Sequence, residues 1–287
     1  MARFGVPSPH KSGLYIGPQT FMNVAYSTNF SDAKAAILGV PYDGGVHPTR
    51  IGSRTGPASI REHSQLVRPF QPPHATFNPL ELLSLVDCGD ADTTPSIIED
   101  SFKEIQDAAT GIYAADASPL ALGGDGNRDY MRYNVATTFT RAAEEGLLDV
   151  PASIHIGPRG PTNDIGVFEH TREVGYQLID GRELFETGLR IAAHRIVKDL
   201  QGRDVYLCFD MDFFDPSCAP GVCTPTWGGA TAREGLSFLQ NLSGLNIIGA
   251  DINTVSPPHD TAGMTAFLAG TVALEILTLF CHAKKLL

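Results

Sequence analysis

The chain has 287 residues, of which 43% are hydrophobic and 18% charged, and its net charge is -11. That length suits one large α/β domain over 1–287 with residues 1–30 as an N-terminal extension, and that apolar fraction excludes a disordered chain. An acidic balance with scattered Lys and Arg excludes nucleic acid as a partner, and no run of about 18 apolar residues predicts a membrane span. The opening residues carry a charge with no apolar core behind it, so no secretory signal is read and cytoplasmic residence is expected. Five cysteines, Cys88, Cys208, Cys218, Cys223 and Cys281, form an odd count without CxxC spacing. They predict neither a zinc knuckle nor a disulfide framework: Cys88 and Cys208 read as core thiols, Cys218 and Cys223 as loop packing.

In chain order, short apolar runs that end in Gly, Asp or Pro predict strands over 35–40, 82–87, 119–124, 152–156, 176–179, 205–209 and 245–251. Such runs are what parallel strands covered on both faces look like. Helical patterns fall at 97–115, 137–147, 188–201, 231–241 and 261–283. Alternating strands and helices imply a three-layer α/β/α sandwich around a mostly parallel sheet, with ligands at the carboxyl ends of the strands.

Three strand ends carry acids: Gly123-Gly-Asp125-Gly-Asn127-Arg-Asp129, Asp210-Met-Asp212 and Asp251-Ile-Asn253-Thr254. Two carboxylates two apart along a strand project to one side and repel each other unless a cation lies between them. Hard oxygen ligands suit Mn or Mg, and Ni or Zn when imidazole joins them. The plainer alternative makes Asp215-Pro216 a turn and the other acids solvated. A phosphate cradle at Gly123 to Asn127 lacks both the GKS/T and the GxGxxG pattern.

With those motifs in hand, the sequence resembles the ureohydrolase (arginase and agmatinase) family over nearly its whole length. The resemblance rests on Gly39-Val-Pro-Tyr-Asp-Gly-Gly45, Gly52-Ser-Arg-Thr-Gly56-Pro-Ala-Ser-Ile-Arg61, Val86-Asp-Cys-Gly-Asp90 and Leu122-Gly-Gly-Asp125. Ile154-His-Ile-Gly-Pro-Arg159-Gly, Asp210 to Gly221, Thr224-Pro225, Gly228-Gly229 and Asp251 to Asp260 then follow in the family's order. It implies an arginase-like fold, assembly into trimers or hexamers, and hydrolysis of a guanidino carbon to urea and an amine by water held between two metal ions.

Several positions depart from the family pattern. Gly126 stands where the resemblance implies a metal-binding His, Asn127 where it implies the His of an Asp-Ala-His-x-Asp segment, Val135 at the catalytic His and Thr254 at the Glu that holds the guanidinium. The metal ligands left to the resemblance are Asp125, Asp129, Asp210 and Asp212, an all-carboxylate set expected to be vestigial or weak. Val135 cannot move a proton and Thr254 cannot offset a cationic guanidinium. Two parallel strands also need a crossover of a dozen or more residues, and nothing of that length separates Gly124 from Asn127. Either a strand near the middle of the sheet is absent or replaced by the preceding one, or the numbering closes over residues that belong there.

Among the histidines, His155 reads as a strand residue of the core, and His47 and His259 lie in loops where either could face the cleft. His10, His63, His74, His170, His194 and His282 read as surface positions. The expected function is therefore that of a noncatalytic subunit, a pseudoenzyme with no firmly bound cofactor of its own. It would assemble with an active homologous subunit that carries Mn or Ni and hydrolyses a small guanidino or biguanide compound, as in heteromeric amidinohydrolases such as metformin hydrolase. The alternative is an active, metal-dependent, agmatinase-like amidinohydrolase with a rewired site. A small-molecule sensor built on the vacated cleft rests on fold analogy alone.

Overall fold

A computed structural model of the chain describes residues 19–44, 49–94, 97–124, 138–162 and 165–287. The apolar runs form β1 (Ala25–Tyr26), β2 (Ala35–Val40), β3 (Val86–Asp90), β4 (Ser118–Gly123), β5 (Ile154–Ile156), β6 (Gln177–Ile179), β7 (Asp204–Asp210) and β8 (Asn246–Asn253). Helices between and after them are α1 (Gly56–His63), α2 (Pro79–Leu82), α3 (Ile98–Ala114), α4 (Thr138–Glu144), α5 (Val167–Val174), α6 (Gly181–Thr187), α7 (Leu189–Asp199), α8 (Ala232–Gln240) and α9 (Met264–Ala283).

Six strands make one parallel sheet in the order β1-β3-β2-β4-β8-β7, while β5 and β6 make a separate parallel pair. Alternate residues of β2 separate the two faces. Ala35 and Ile37 join the larger core with Leu120, Leu122, Ile252 and residues of α1, α7, α8 and α9, whereas Ala36 and Leu38 meet Ile105 and Ile112 of α3. This is the expected α/β/α sandwich, with the larger core on one face and α3 over β2 and β4 on the other.

Differences from the sequence reading have local causes. The strand expected over 82–87 starts at Val86, because Asn78 caps the turn Pro79–Leu82 through the Leu80 N–H and a proline suits a first helical position. The two-residue β1 and the short helices α1, α5 and α6 escape a reading based on longer periodic runs. By contrast, α8 begins where its capping box, Thr231 with Glu234, places it.

One expectation is corrected outright. Met264–Ala283 is long and apolar enough to cross a membrane, although no such run was expected. Most of it is buried inside the fold, packed against β8, α1 and α8, which is how a core helix passes the same test.

Arg61 fixes α1 to the sheet. Its Nε and Nη2 donate to the two carboxylate oxygens of Asp87 at 2.8 and 2.9 Å, Nη1 donates to Asp90 Oδ1 and Nη2 to the Gly89 carbonyl. Burial opposes the Arg61 charge, but Asp87 and Asp90 more than offset it and raise its pKa. The Val86 to Asp90 motif thus serves packing through a bidentate buried pair.

Candidate active site

At the carboxyl end of β7, Asp210 closes a one-turn cap: its Oδ1 accepts the Asp212 backbone N–H at 2.8 Å. The same oxygen accepts a 2.5 Å hydrogen bond from Thr254 Oγ1, just past the end of β8. Parallel pairing of Asp210 with Asn253 brings the two strand ends level and makes that contact possible. Asp212 Oδ2 accepts from Thr224 Oγ1 at 3.1 Å. Burial pushes the Asp212 carboxyl above its ordinary range, opposed by the Arg159 charge and by the bonds to Thr224 and Asp210.

Thr254 is 5% exposed and holds a φ of 67°, a left-handed conformation that costs a β-branched residue on the order of 1–3 kcal/mol. Backbone bonds over-determine it. Its N–H donates to the Gly124 carbonyl at 3.2 Å and its carbonyl accepts from Cys223 N–H at 3.0 Å. Gly124 is required there, since an added Cβ would lie 1.6 Å from the Tyr42 carbonyl oxygen.

Arg159, carried by the loop after β5, reaches across to the Asp212 segment. Its Nη2 donates to the carbonyls of Asp212 at 2.5 Å, Thr226 at 2.8 Å and Phe214 at 3.3 Å. Gly229 lets it approach, because a Cβ there would stand 2.6 Å from that nitrogen. The motif Gly157-Pro-Arg159-Gly was visible in the sequence, but its residue types alone gave Arg159 no role. Asp215 takes the plainer reading of a turn residue: its carboxylate accepts the N–H groups of Ser217 and Gly228, and hydrogen bonds from the Ser217 side chain and then these backbone groups lower its pKa.

Asp251 lies inside β8 opposite Cys208 rather than at a strand end. Its Oδ2 accepts from Asn253 Nδ2 at 2.8 Å, with Cys208 Sγ at 3.5 Å and Tyr206 as a further donor, and burial raises its pKa despite them. Cys208, expected in the core, is exposed, as is Tyr206 at 53%. Both nonetheless have pKa values pushed well up by the protein crowding around them and then by Asp251.

Of the other residues singled out in the sequence, Asp125, Gly126, Asn127, Asp129, Val135 and His47 lie outside the described residues. His155 packs between Phe139 and Tyr176, with ring centroids at 5.3 and 4.7 Å, and burial lowers its pKa, as a core histidine's would be. His259 ends a short 3-10 turn with its Nε2 buried and without a hydrogen bond among the described residues.

Whether these residues suit a metal pair can be judged from the donors. Among the described residues no group of three or more His, Cys, Asp or Glu side chains could hold a metal ion. Hydroxyl protons from Thr254 and Thr224 point into the carboxylate oxygens that a cation would otherwise use. The described residues do not fit a bimetal centre.

The arginase family's sequence profile matches residues 33–130 and 126–279, doubling back over 126–130. Guanidinopropionase of Pseudomonas aeruginosa is 31% identical over 300 residues, covering 94% of this chain and 93% of that protein. The mitochondrial guanidino acid hydrolase of Homo sapiens is 30% identical, covering 94% and 85%. Both alignments are longer than the part of this chain they cover, so these relatives have residues that this chain lacks. The solved structure of proclavaminate amidinohydrolase from Streptomyces clavuligerus superposes with a TM-score of 0.88 at 29% identity, over 95% of this chain and all of that one. A formiminoglutamase of Trypanosoma cruzi, solved with Mn2+, shares the fold at a TM-score of 0.70 and 20% identity, covering 88% and 95%. The sequence motifs, the sheet order and these matches agree, and the chain belongs to the arginase family.

Proposed function

We propose that this chain takes part in hydrolysis of a guanidino C–N bond as a subunit with an incomplete centre of its own, assembled with an active homologue. One observation carries the proposal: Thr254 Oγ1 donates to Asp210 Oδ1 at the position where the family resemblance implies an acidic side chain. A threonine there offers a guanidinium no counter-charge, and its hydroxyl takes up the carboxylate oxygen a metal would need. The trimeric or hexameric assembly of the family would bring such a subunit beside a complete one. A single domain and a cytoplasmic location are part of the same reading.

Active amidinohydrolase is the second reading, and the comparisons favour it over the first. Guanidinopropionase and guanidino acid hydrolase are enzymes, and they align with almost the whole of this chain. On that reading Asp210 and Asp212 would act with Asp125 and Asp129 as carboxylate ligands.

Urea release separates the two. The chain is purified alone and co-expressed with a homologue that keeps its His motifs, and both preparations are offered 3-guanidinopropionate, 4-guanidinobutyrate, agmatine and a biguanide. The first reading expects urea only from the co-expressed pair, with both chains in one complex. Turnover by the chain alone establishes the second.

A further inference from the structure

Glu275 sits in the part of α9 where every residue from Val272 to Cys281 is buried, and it is itself 2% exposed. Its Oε1 accepts a 2.8 Å hydrogen bond from Gln240 Nε2 of α8. Its Oε2 has no hydrogen bond among the described residues. A buried carboxylate oxygen left unpaired is costly when it carries charge. His74 Nε2 stands 3.6 Å from it, within ion-pair range but too far for a hydrogen bond. His74 was expected on the surface, yet its side chain is only 31% exposed.

His74 belongs to a small hairpin in which Gln71 and Ala75 exchange backbone hydrogen bonds of 2.9 and 2.8 Å. Gln71 Nε2, in the same hairpin, is also buried without a hydrogen bond among the described residues. Of the elements around this carboxylate, α8 presents neutral Gln240 and the hairpin presents His74. On α9 itself His282 lies about two turns further on. Burial and then the charge of His74 lower its pKa. Lys34 acts on Cys281 instead.

We propose that Glu275 and His74 form a proton-operated latch holding the Gln71–Ala75 hairpin on α9. A proton on Glu275 Oε2, the oxygen that faces His74 Nε2, keeps the latch closed; its loss leaves a bare carboxylate among apolar side chains, and the hairpin opens to hydrate it. The proton moves between Glu275 Oε2 and solvent. Burial pushes the Glu275 carboxyl from an ordinary 4.5 to about 7, which puts the release near neutral pH. Because the folded value lies above the unfolded one, the neutral acid's contribution to stability is complete below 4.5 and is lost as pH rises through about 7.

Amide hydrogen exchange on the full chain at pH 6 and pH 8, corrected for intrinsic rates, reads the latch at Gln71 and Ala75. Opening is expected to be on the order of tenfold more frequent at pH 8, the equivalent of one pKa unit. Glu275→Gln should hold the hairpin closed at both pH values, and His74→Ala should leave it fast at both. Equal wild-type protection at the two pH values, or an unchanged pH response in Glu275→Gln, overturns the proposal. Should Glu275→Gln fail to fold, His74→Ala decides alone: a hairpin that still follows pH as in the wild type rules the latch out.

Discussion

Around β2, β3 and β4 the sheet is sealed on both faces, whereas among the described residues β7 has one face and one edge without a covering element. In the sealed region Ile37 and Leu120 are fully buried under α1 and α9 while Ala36 and Leu38 lie under α3. At β7, Phe209 is buried on the inner face, but Tyr206 and Cys208 on the outer face meet water. Among the described residues β7 pairs only with β8, and β5 only with β6. The family match doubles back at 126–130 and the relatives carry residues this chain lacks.

Substitutions on either side can break or sharpen the contrast. The largest effect is expected from Arg61→Met, which strands the fully buried Asp87 without its counter-charge and should cost about 3–5 kcal/mol by urea unfolding. Leu120→Ala, also in the sealed region, should cost about 2–5 kcal/mol through the cavity it leaves. Thr254→Ala removes a hydrogen bond to a carboxylate at the junction of the two regions and should cost about 1.5–3 kcal/mol. Tyr206→Ala, on the open face, removes little packing but takes one donor from Asp251, and is expected to cost about 1 kcal/mol. A Tyr206 effect as large as that of Leu120 would mean that the open face is covered in solution.

The smallest signal is chemical. Cys208 should be the first cysteine to react with a maleimide, because Cys223 and Cys281 are buried and Cys88 and Cys218 half-buried. Its thiol is raised well above 9, so labelling should be slow at neutral pH and accelerate as pH climbs past 9, followed by peptide mass mapping.

Much of this was legible in the sequence. The end of β2, the extent of α3 and the start of α8 follow from apolar runs and caps, whereas Asp210 and Asp212, read as neighbours along one strand, meet as the cap and first turn of a 3-10 segment past its end. Other features required three dimensions. Cys208 reads as core because its neighbours are apolar, and its exposure depends on what fails to pack over it. Thr254 reads only as a missing acid, while its role as a donor to Asp210 depends on the register between β7 and β8. Arg159 binds carbonyls far along the chain, which leave no pattern near it. Glu275 and Thr278 break the apolar run of α9, and it is the fold that gives both a buried place.

The central claim is that the hydroxyl of Thr254 occupies the carboxylate a metal would need. Titrating Mn2+ into the purified, chelator-treated chain by calorimetry tests it most directly. The account predicts no stoichiometric binding by the wild type. Two tightly bound ions per wild-type chain would contradict it.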